Sequence, residues 1–366
     1  MKERLESLDI LRGADMFLLL FLGPVLKNVA KVYELSGLNG QLSHVQWEGF
    51  ATWDIIMPLF LFLSGVTIPF SLAQYKTGEL RPGRKLYLKL LKRFCMLVFL
   101  GWIVQGNLLL LDWKMFNPYS NTLQTIAVGY VVSALLFVHL KVKWQIVAGL
   151  VLFAGYWLAF ACTGMNLDPQ DNIAMVIDKA ILGSHRAGVD WAADGTWSFR
   201  PGYQYTWILS SLNFAVTVLL GCFAGQILRA QNTDKAKRAL VLAAVGASLV
   251  VAGLLIDPLF PIIKKIWSSS FTLFSGGLCF LLFALTYYMV DVKGWRKGLA
   301  WLKIYGMNAI LAYCVGQVLK FTSVSASLLV GFESTAIYPI LMALFNALIL
   351  FALLCVLYRN KIFLKV

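Results

Sequence analysis

Apolar residues in this chain gather into runs near twenty long, and short segments between the runs hold most of the charge. A helix of about 20 apolar residues crosses the roughly 30 Å apolar core of a bilayer, so each run is long enough to span one. Ten spans fit the pattern, at 10–30, 52–75, 87–111, 121–139, 143–163, 206–228, 239–256, 269–290, 300–319 and 337–358. The expected fold is an all-α polytopic membrane protein, with residues 1–366 as a single transmembrane domain. Outside the spans, segment 164–205 is long and carries His185 and Trp191 and Trp197. A connection of that length usually has a function, and its aromatic and acidic residues suit sugar binding as well as interfacial packing.

Composition agrees with this pattern. Hydrophobic residues make up 59% of the chain, charged residues 14%, and the mean hydropathy is +0.73, which is more apolar length than a soluble core needs. The net charge of +14 does not point to nucleic acid, because the basic residues fall in short clusters between spans and form no continuous face. With the N-terminus inside, the inner segments hold 23 of the 32 Lys and Arg, which predicts that both termini are cytoplasmic. The first apolar run lacks a small-residue cleavage site and opens on Glu3, Glu6 and Asp9, so it reads as a retained span. All six cysteines lie inside spans without CxxC spacing, so packing is expected of them, with no disulfide and no metal site.

Against this apolar background the stretch from Leu42 to Tyr75 stands out. His44 falls just outside the second span, near Trp47, Glu48, Trp53 and Asp54. A neutral imidazole there can take a proton or carry an acyl group, or it can simply sit in an aromatic belt. Asp54 lies about one turn inside the span, where an unpaired carboxylate is costly. Pro58, four residues on, leaves the Asp54 carbonyl without its helical partner and predicts a kink. Ten residues of continuous helix would hold His44 and Asp54 about 15 Å apart, so a shared site requires the chain to turn back before Asp54, and Gly49 permits that turn.

Other polar positions read two ways. Arg12 lies three residues from both Asp9 and Asp15, which suits either an intrahelical ion pair or an anion site at the inner end of the first span. The basic loop 76–93 suits anionic lipid or a nucleotide phosphate. Asn308, inside the ninth span, needs an amide partner, and Gly306 beside it permits close helix approach. Lys264 and Lys265 are outer charges against the positive-inside trend.

The chain resembles the heparan-α-glucosaminide N-acetyltransferase family from end to end. The resemblance rests on RLESLDILRG at 4–13, then His44, Trp47, Gly49, Asp54 and Pro58, DKAILGSH at 178–185, PIIKKIWSSSF at 261–271, VDVKG at 290–294, GMNAIL at 306–311 and LYRNKIF at 357–363. It implies transfer of an acetyl group from cytosolic acetyl-CoA to a glucosamine-like amine on the far side of the membrane, with His44 as base or acyl carrier. On that reading Asp54 orients His44 or pairs with the amine, and Asn308 contacts the thioester or a developing oxyanion. Arg12 and Lys293 meet the CoA phosphates, while Trp47, Glu48 and His185 contact the acceptor. The family's YDPEG is replaced by YQYTW at 203–207, which removes an acidic residue from the acceptor side. No large outer domain precedes the first span, so a bacterial inner membrane is expected. The expected partners are acetyl-CoA, an amino sugar or glycan and the lipid bilayer, with self-association into a homodimer left open. A sugar transporter or flippase, or a noncatalytic sugar sensor, would share the buried Asp and the outer aromatics.

Overall fold

The computed structural model describes residues 5–230 and 233–364. Arg4, which opens the first motif, and the terminal residues 365–366 lie outside this range. The architecture is helical, as the apolar runs predict. The chain begins with α1 (Glu6–Phe17), a π-helical turn at Leu18–Leu22 and α2 (Gly23–Val32), followed by the short α3 (Ser36–Gln41). A 3₁₀ turn at Thr52–Ile55 leads into α4 (Ile56–Val66), α5 (Ile68–Ser71) and α6 (Ala73–Lys76), and then α7 (Arg84–Val104), α8 (Thr122–His139) and α9 (Val142–Ala161). The connection that follows carries α10 (Ile173–Leu182) and a hairpin of β1 (Val189–Trp191) and β2 (Trp197–Phe199), with Asp190 opposite Ser198. The long helices α11 (Ser211–Arg229), α12 (Lys235–Ile256) and α13 (Ser269–Tyr287) come next. The chain closes with α14 (Ala300–Met307), α15 (Ala309–Val318), α16 (Thr322–Leu328) and α17 (Tyr338–Arg359).

Among the described residues seven helical segments are long and apolar enough to cross a membrane, and the bent pair α15–α16 would make an eighth. These seven coincide with seven of the ten predicted spans. The other three runs are helical but depart from a simple span for physical reasons. The first carries Asp9, Arg12 and Asp15 and passes through the π turn. The third, α7, opens with a basic stretch. The ninth breaks at Asn308 and bends by 74° between α15 and α16.

Burial separates an inner set of helices from an outer one. About two thirds of the apolar window of α4–α5 and of α11 is buried, against 22% for α9 and α12 and 17% for α17. Helices that are apolar all round yet unburied by protein belong against lipid. Gly306 lets α14 pack on α1, since a Cβ there would lie 1.9 Å from the Asp9 carbonyl oxygen. Arg12 pairs with Asp9 at 3.8 Å, while the carboxylate of Asp15 is buried without a hydrogen-bond partner. The predicted kink at Pro58 does not form, because α4 starts at Ile56 and places the proline in its first turn, where no helical N–H is needed.

Candidate functional site

Between α3 and the 3₁₀ turn the chain is irregular, and Gly49 reverses it with φ +108°, a region that favours glycine. The Gly49 amide donates to the Ile262 carbonyl at 2.8 Å, which fastens this turn to the loop before α13. Asp54 closes the turn by accepting from the Ala51 amide at 3.1 Å. The reversal brings His44 back over Asp54, with His44 Nδ1 2.7 Å from Asp54 Oδ1. The two residues that continuous helix would hold about 15 Å apart therefore share one site.

A third group completes it. Lys264 Nζ lies 3.1 Å from Asp54 Oδ1 and 3.1 Å from His44 Nδ1. The side chains are 1% exposed for Asp54, 9% for Lys264 and 41% for His44, so the charged pair is buried and the imidazole is the accessible member. With Lys264 charged and Asp54 ionised, Nδ1 carries the proton and donates it to Asp54 Oδ1, and Nε2 keeps a free lone pair. Burial pulls the Lys264 ammonium below its ordinary value, while the Asp54 charge opposes that shift.

The loop carrying Lys264 is pinned along its length. Ser210 Oγ donates to the Ile266 carbonyl at 2.8 Å, Asn213 Nδ2 to the Trp267 carbonyl at 2.9 Å, and the Thr206 amide to the Lys265 carbonyl at 3.0 Å. At its C-terminal end Ser268 caps α13, accepting from the Phe271 amide and donating to the Pro261 carbonyl at 2.7 Å. Side-chain partners for successive carbonyls make the position of Lys264 a property of the whole loop.

His44 and Lys264 open on a cavity of about 800 Å³. Tyr203, Tyr205, Trp207 and Trp53 form its aromatic wall, and Gln105, Asn107, Ser120 and Thr122 supply neutral polar groups. The aromatic wall is held by two buried charges. Asp178 accepts from the Trp207 and Ile208 amides at 2.8 and 2.9 Å, and Arg186 donates to the Tyr203 and Tyr205 carbonyls at 3.2 Å each. Burial pushes the Asp178 carboxyl up to about 6 against these hydrogen bonds and the nearby Arg186 charge. Burial, with the Asp54 charge added, raises the Tyr205 phenol, so it remains a hydrogen-bond donor.

Of the residues singled out in the sequence, the structure brings together His44 and Asp54. Trp47 packs instead with Tyr156, Phe160 and Phe260, and Glu48 is exposed. His185 sits behind the cavity wall, its Nδ1 3.2 Å from the Phe116 carbonyl and its ring edge-on to Trp113. Asn308 does not face His44, because its amide donates to the Ile362 carbonyl at 2.9 Å and accepts from the Leu364 amide at 3.2 Å, tying down the C-terminal tail. Arg12 and Lys293 lie at the other end of the bundle, where the Ser7 amide bonds Asp291 at 3.2 Å and Lys293 stands over the Tyr288 ring. Lys264 was legible as a charge on the wrong side of the topology and within PIIKKIWSSSF, Asp178, Tyr203 and Tyr205 only within quoted motifs, and Arg186 only as a member of a long outer segment.

A family model described as "Heparan-alpha-glucosaminide N-acetyltransferase, catalytic" matches residues 4–178, which include His44 and Asp54. Two curated proteins named heparan-alpha-glucosaminide N-acetyltransferase are similar along more of the chain. The one from Mus musculus is 25% identical over 371 residues, covering 87% of this chain and 54% of its own length. The one from Homo sapiens is 25% identical over 368 residues, covering 87% and 53%. The chain thus spans about half the length of the curated relatives it matches. With His44 and Asp54 inside the matched region and seven helices long and apolar enough to cross a membrane, the chain is a multi-pass membrane protein similar to heparan-alpha-glucosaminide N-acetyltransferases.

Proposed function

We propose that the protein is a transmembrane acyltransferase of a bacterial inner membrane, moving an acetyl group from cytosolic acetyl-CoA to the amine of an amino sugar or glycan at the periplasmic face. The observation that carries this reading is the buried Asp54–Lys264 pair behind an accessible His44 imidazole, opening on an aromatic cavity. The relatives, N-acetyltransferases by name, support the same reaction class.

In this reading the acceptor nitrogen attacks the thioester carbonyl carbon and passes a proton to His44 Nε2. As the tetrahedral adduct collapses, the carbon–sulfur bond breaks and the imidazolium returns the proton to the departing CoA sulfur. The new bond is the amide carbon–nitrogen bond. Asp54 fixes the tautomer through Nδ1 and stabilises the imidazolium that forms. Lys264 balances the Asp54 charge while the imidazole is neutral, so the resting site holds no unpaired buried charge. An acyl-histidine route would use the same Nε2 lone pair. Arg12 and Lys293 at the far end are the proposed contacts to the CoA phosphates, with the acyl arm reaching through the bundle. Holding thioester and amine together can contribute about 7–11 kcal/mol in favourable cases.

The test is to supply purified protein with radiolabelled acetyl-CoA and glucosamine and to compare His44→Ala. Equal transfer by the two proteins would overturn the assignment. A melting shift with CoA alone, no acceptor present, separates an acyltransferase from a transporter or sensor that does not bind CoA.

A further inference from the structure

A second cavity of about 520 Å³ lies beside the first, and Leu19 and Gln317 line both. It is an open pocket lined by the π turn and α2, by the break between α15 and α16, and by the first turns of α17. Its walls are largely apolar, including Leu20, Leu319, Phe321, Met342, Ala343 and Leu350. The polar groups near it are few. Asn28 donates to its own helix at Pro24, Asn346 is occupied by Ser325, and exposed Lys320 stands at the break. Asn28 leads through α3 to His44, so this cavity lies at the His44 end of the bundle.

The two cavities therefore differ in chemistry while sharing a partition. The first offers a base, a buried charge pair, tyrosine hydroxyls and neutral amides, as a sugar requires. The second is lined mainly by apolar side chains, with the amides of Asn28 and Asn346 already bonded to Pro24 and Ser325 and Lys320 exposed at its rim. The 74° bend between α15 and α16 leaves one wall to two short helices and not to a continuous span. α17, which forms the opposite wall, is the least protein-covered of the apolar helices. Helix breaks of this kind in membrane proteins occur where backbone lines a cavity.

We propose that the acceptor is an amphipathic glycan, a sugar carrying a hydrocarbon chain, with the sugar in the His44 cavity and the chain in the second cavity. This rests on the acceptor reading given above and narrows it. The sugar enters sideways from the outer leaflet, and Leu19 and Gln317 mark the junction between head and chain. The side-chain amide of Gln317 lines both cavities, which makes it available to a sugar hydroxyl at that junction.

The experiment has two arms on the full chain in lipid nanodiscs. In the first, a glucosaminide bearing an alkyl diazirine chain is photolysed, and the adducts are mapped by mass spectrometry. Adducts concentrated at 316–322 and 339–350, competed by dodecyl glucosaminide but not by dodecyl maltoside, are the expected result. Labelling spread over the lipid-facing helices overturns the proposal, and so does competition by any dodecyl chain, which would make this an ordinary lipid site. In the second arm, acetyl transfer to dodecyl glucosaminide should show a KM about tenfold below that for methyl glucosaminide. Ala343→Phe and, independently, Met342→Trp should remove that advantage while leaving the methyl acceptor unchanged. Equal KM values in wild type overturn the proposal. Localised, sugar-specific adducts without acetyl transfer would instead overturn the acyltransferase reading and leave the amphipathic-sugar site standing.

Discussion

The two ends of the bundle solve the problem of charge in opposite ways. At the His44 end, four charged residues, Asp54, Lys264, Asp178 and Arg186, are nearly or fully buried, and each bonds the backbone or another of the four. At the other end, Lys85, Lys89, Lys92, Arg296 and Lys297 are exposed on flexible stems. Buried groups held by several bonds hold one geometry, and they fail sharply when one member is removed. Exposed cations give a diffuse field that attracts phosphate groups and is screened by salt. The proposed function, with group transfer at the first end and anion capture at the second, rests on that difference.

The largest effect should come from His44→Ala, which should lower acetyl transfer by about 10²–10⁴-fold with helical content unchanged by circular dichroism. Wild-type transfer in that variant would erase the distinction between the two ends. Asp54→Asn keeps the shape and loses the charge, so a fall of about 10²-fold is expected, read in kcat and not in the KM for acetyl-CoA. Lys264→Met should cost about tenfold at neutral pH. Lys264 lies 3.1 Å from both Asp54 Oδ1 and His44 Nδ1 and has no place in acetyl-CoA capture, so the loss should fall in kcat with the KM for acetyl-CoA unchanged. An unchanged kcat would reduce Lys264 to a packing residue.

Asp178 gives a test on stability. Its folded value of about 6 lies above the ordinary carboxylate value of about 3.9, so the folded protein holds that proton more tightly than the unfolded chain. The corresponding stability is full below the ordinary value and is lost as pH rises through the folded one. Asp178→Asn has no such titration, so wild type should lose stability relative to the variant between about pH 4 and pH 7, by at most about 3 kcal/mol. Parallel melting curves across that range would show that the carboxyl does not carry this shift. The smallest effect belongs to the basic end, where Lys293→Ala should raise the KM for acetyl-CoA about twofold to threefold at low salt, with the difference vanishing as salt is raised.

Much of the fold was readable because a bilayer imposes a length and a polarity on each span, and seven of the predicted runs coincide with helical segments long and apolar enough to cross one. The breaks were less readable. Hydropathy averages over twenty residues and does not register the π turn at Leu18–Leu22 or the interruption at Asn308. Pro58 misled in the same way, since proline marks both a kink and a helix start and only the true start at Ile56 separates them. Within the site, His44 and Asp54 were found because both lie on one short stretch. Asn308 was a polar residue in an apolar run whose partner, the C-terminal tail, could not be inferred from spacing.

The sequence by itself determined the class of molecule, the apolar helices and the two residues, His44 and Asp54, that the structure brings together, because hydrophobic length and rare buried charge are local properties. Tertiary structure alone decided how that pair meets. The Gly49 reversal, the bond from Gly49 to the Ile262 carbonyl and the pinned loop that delivers Lys264 from 220 positions away are contacts between distant segments. So is the aromatic wall that Asp178 and Arg186 hold over the cavity. Hydrogen bonds to specific carbonyls depend on where two chain segments lie in space, and no periodicity along one of them encodes that.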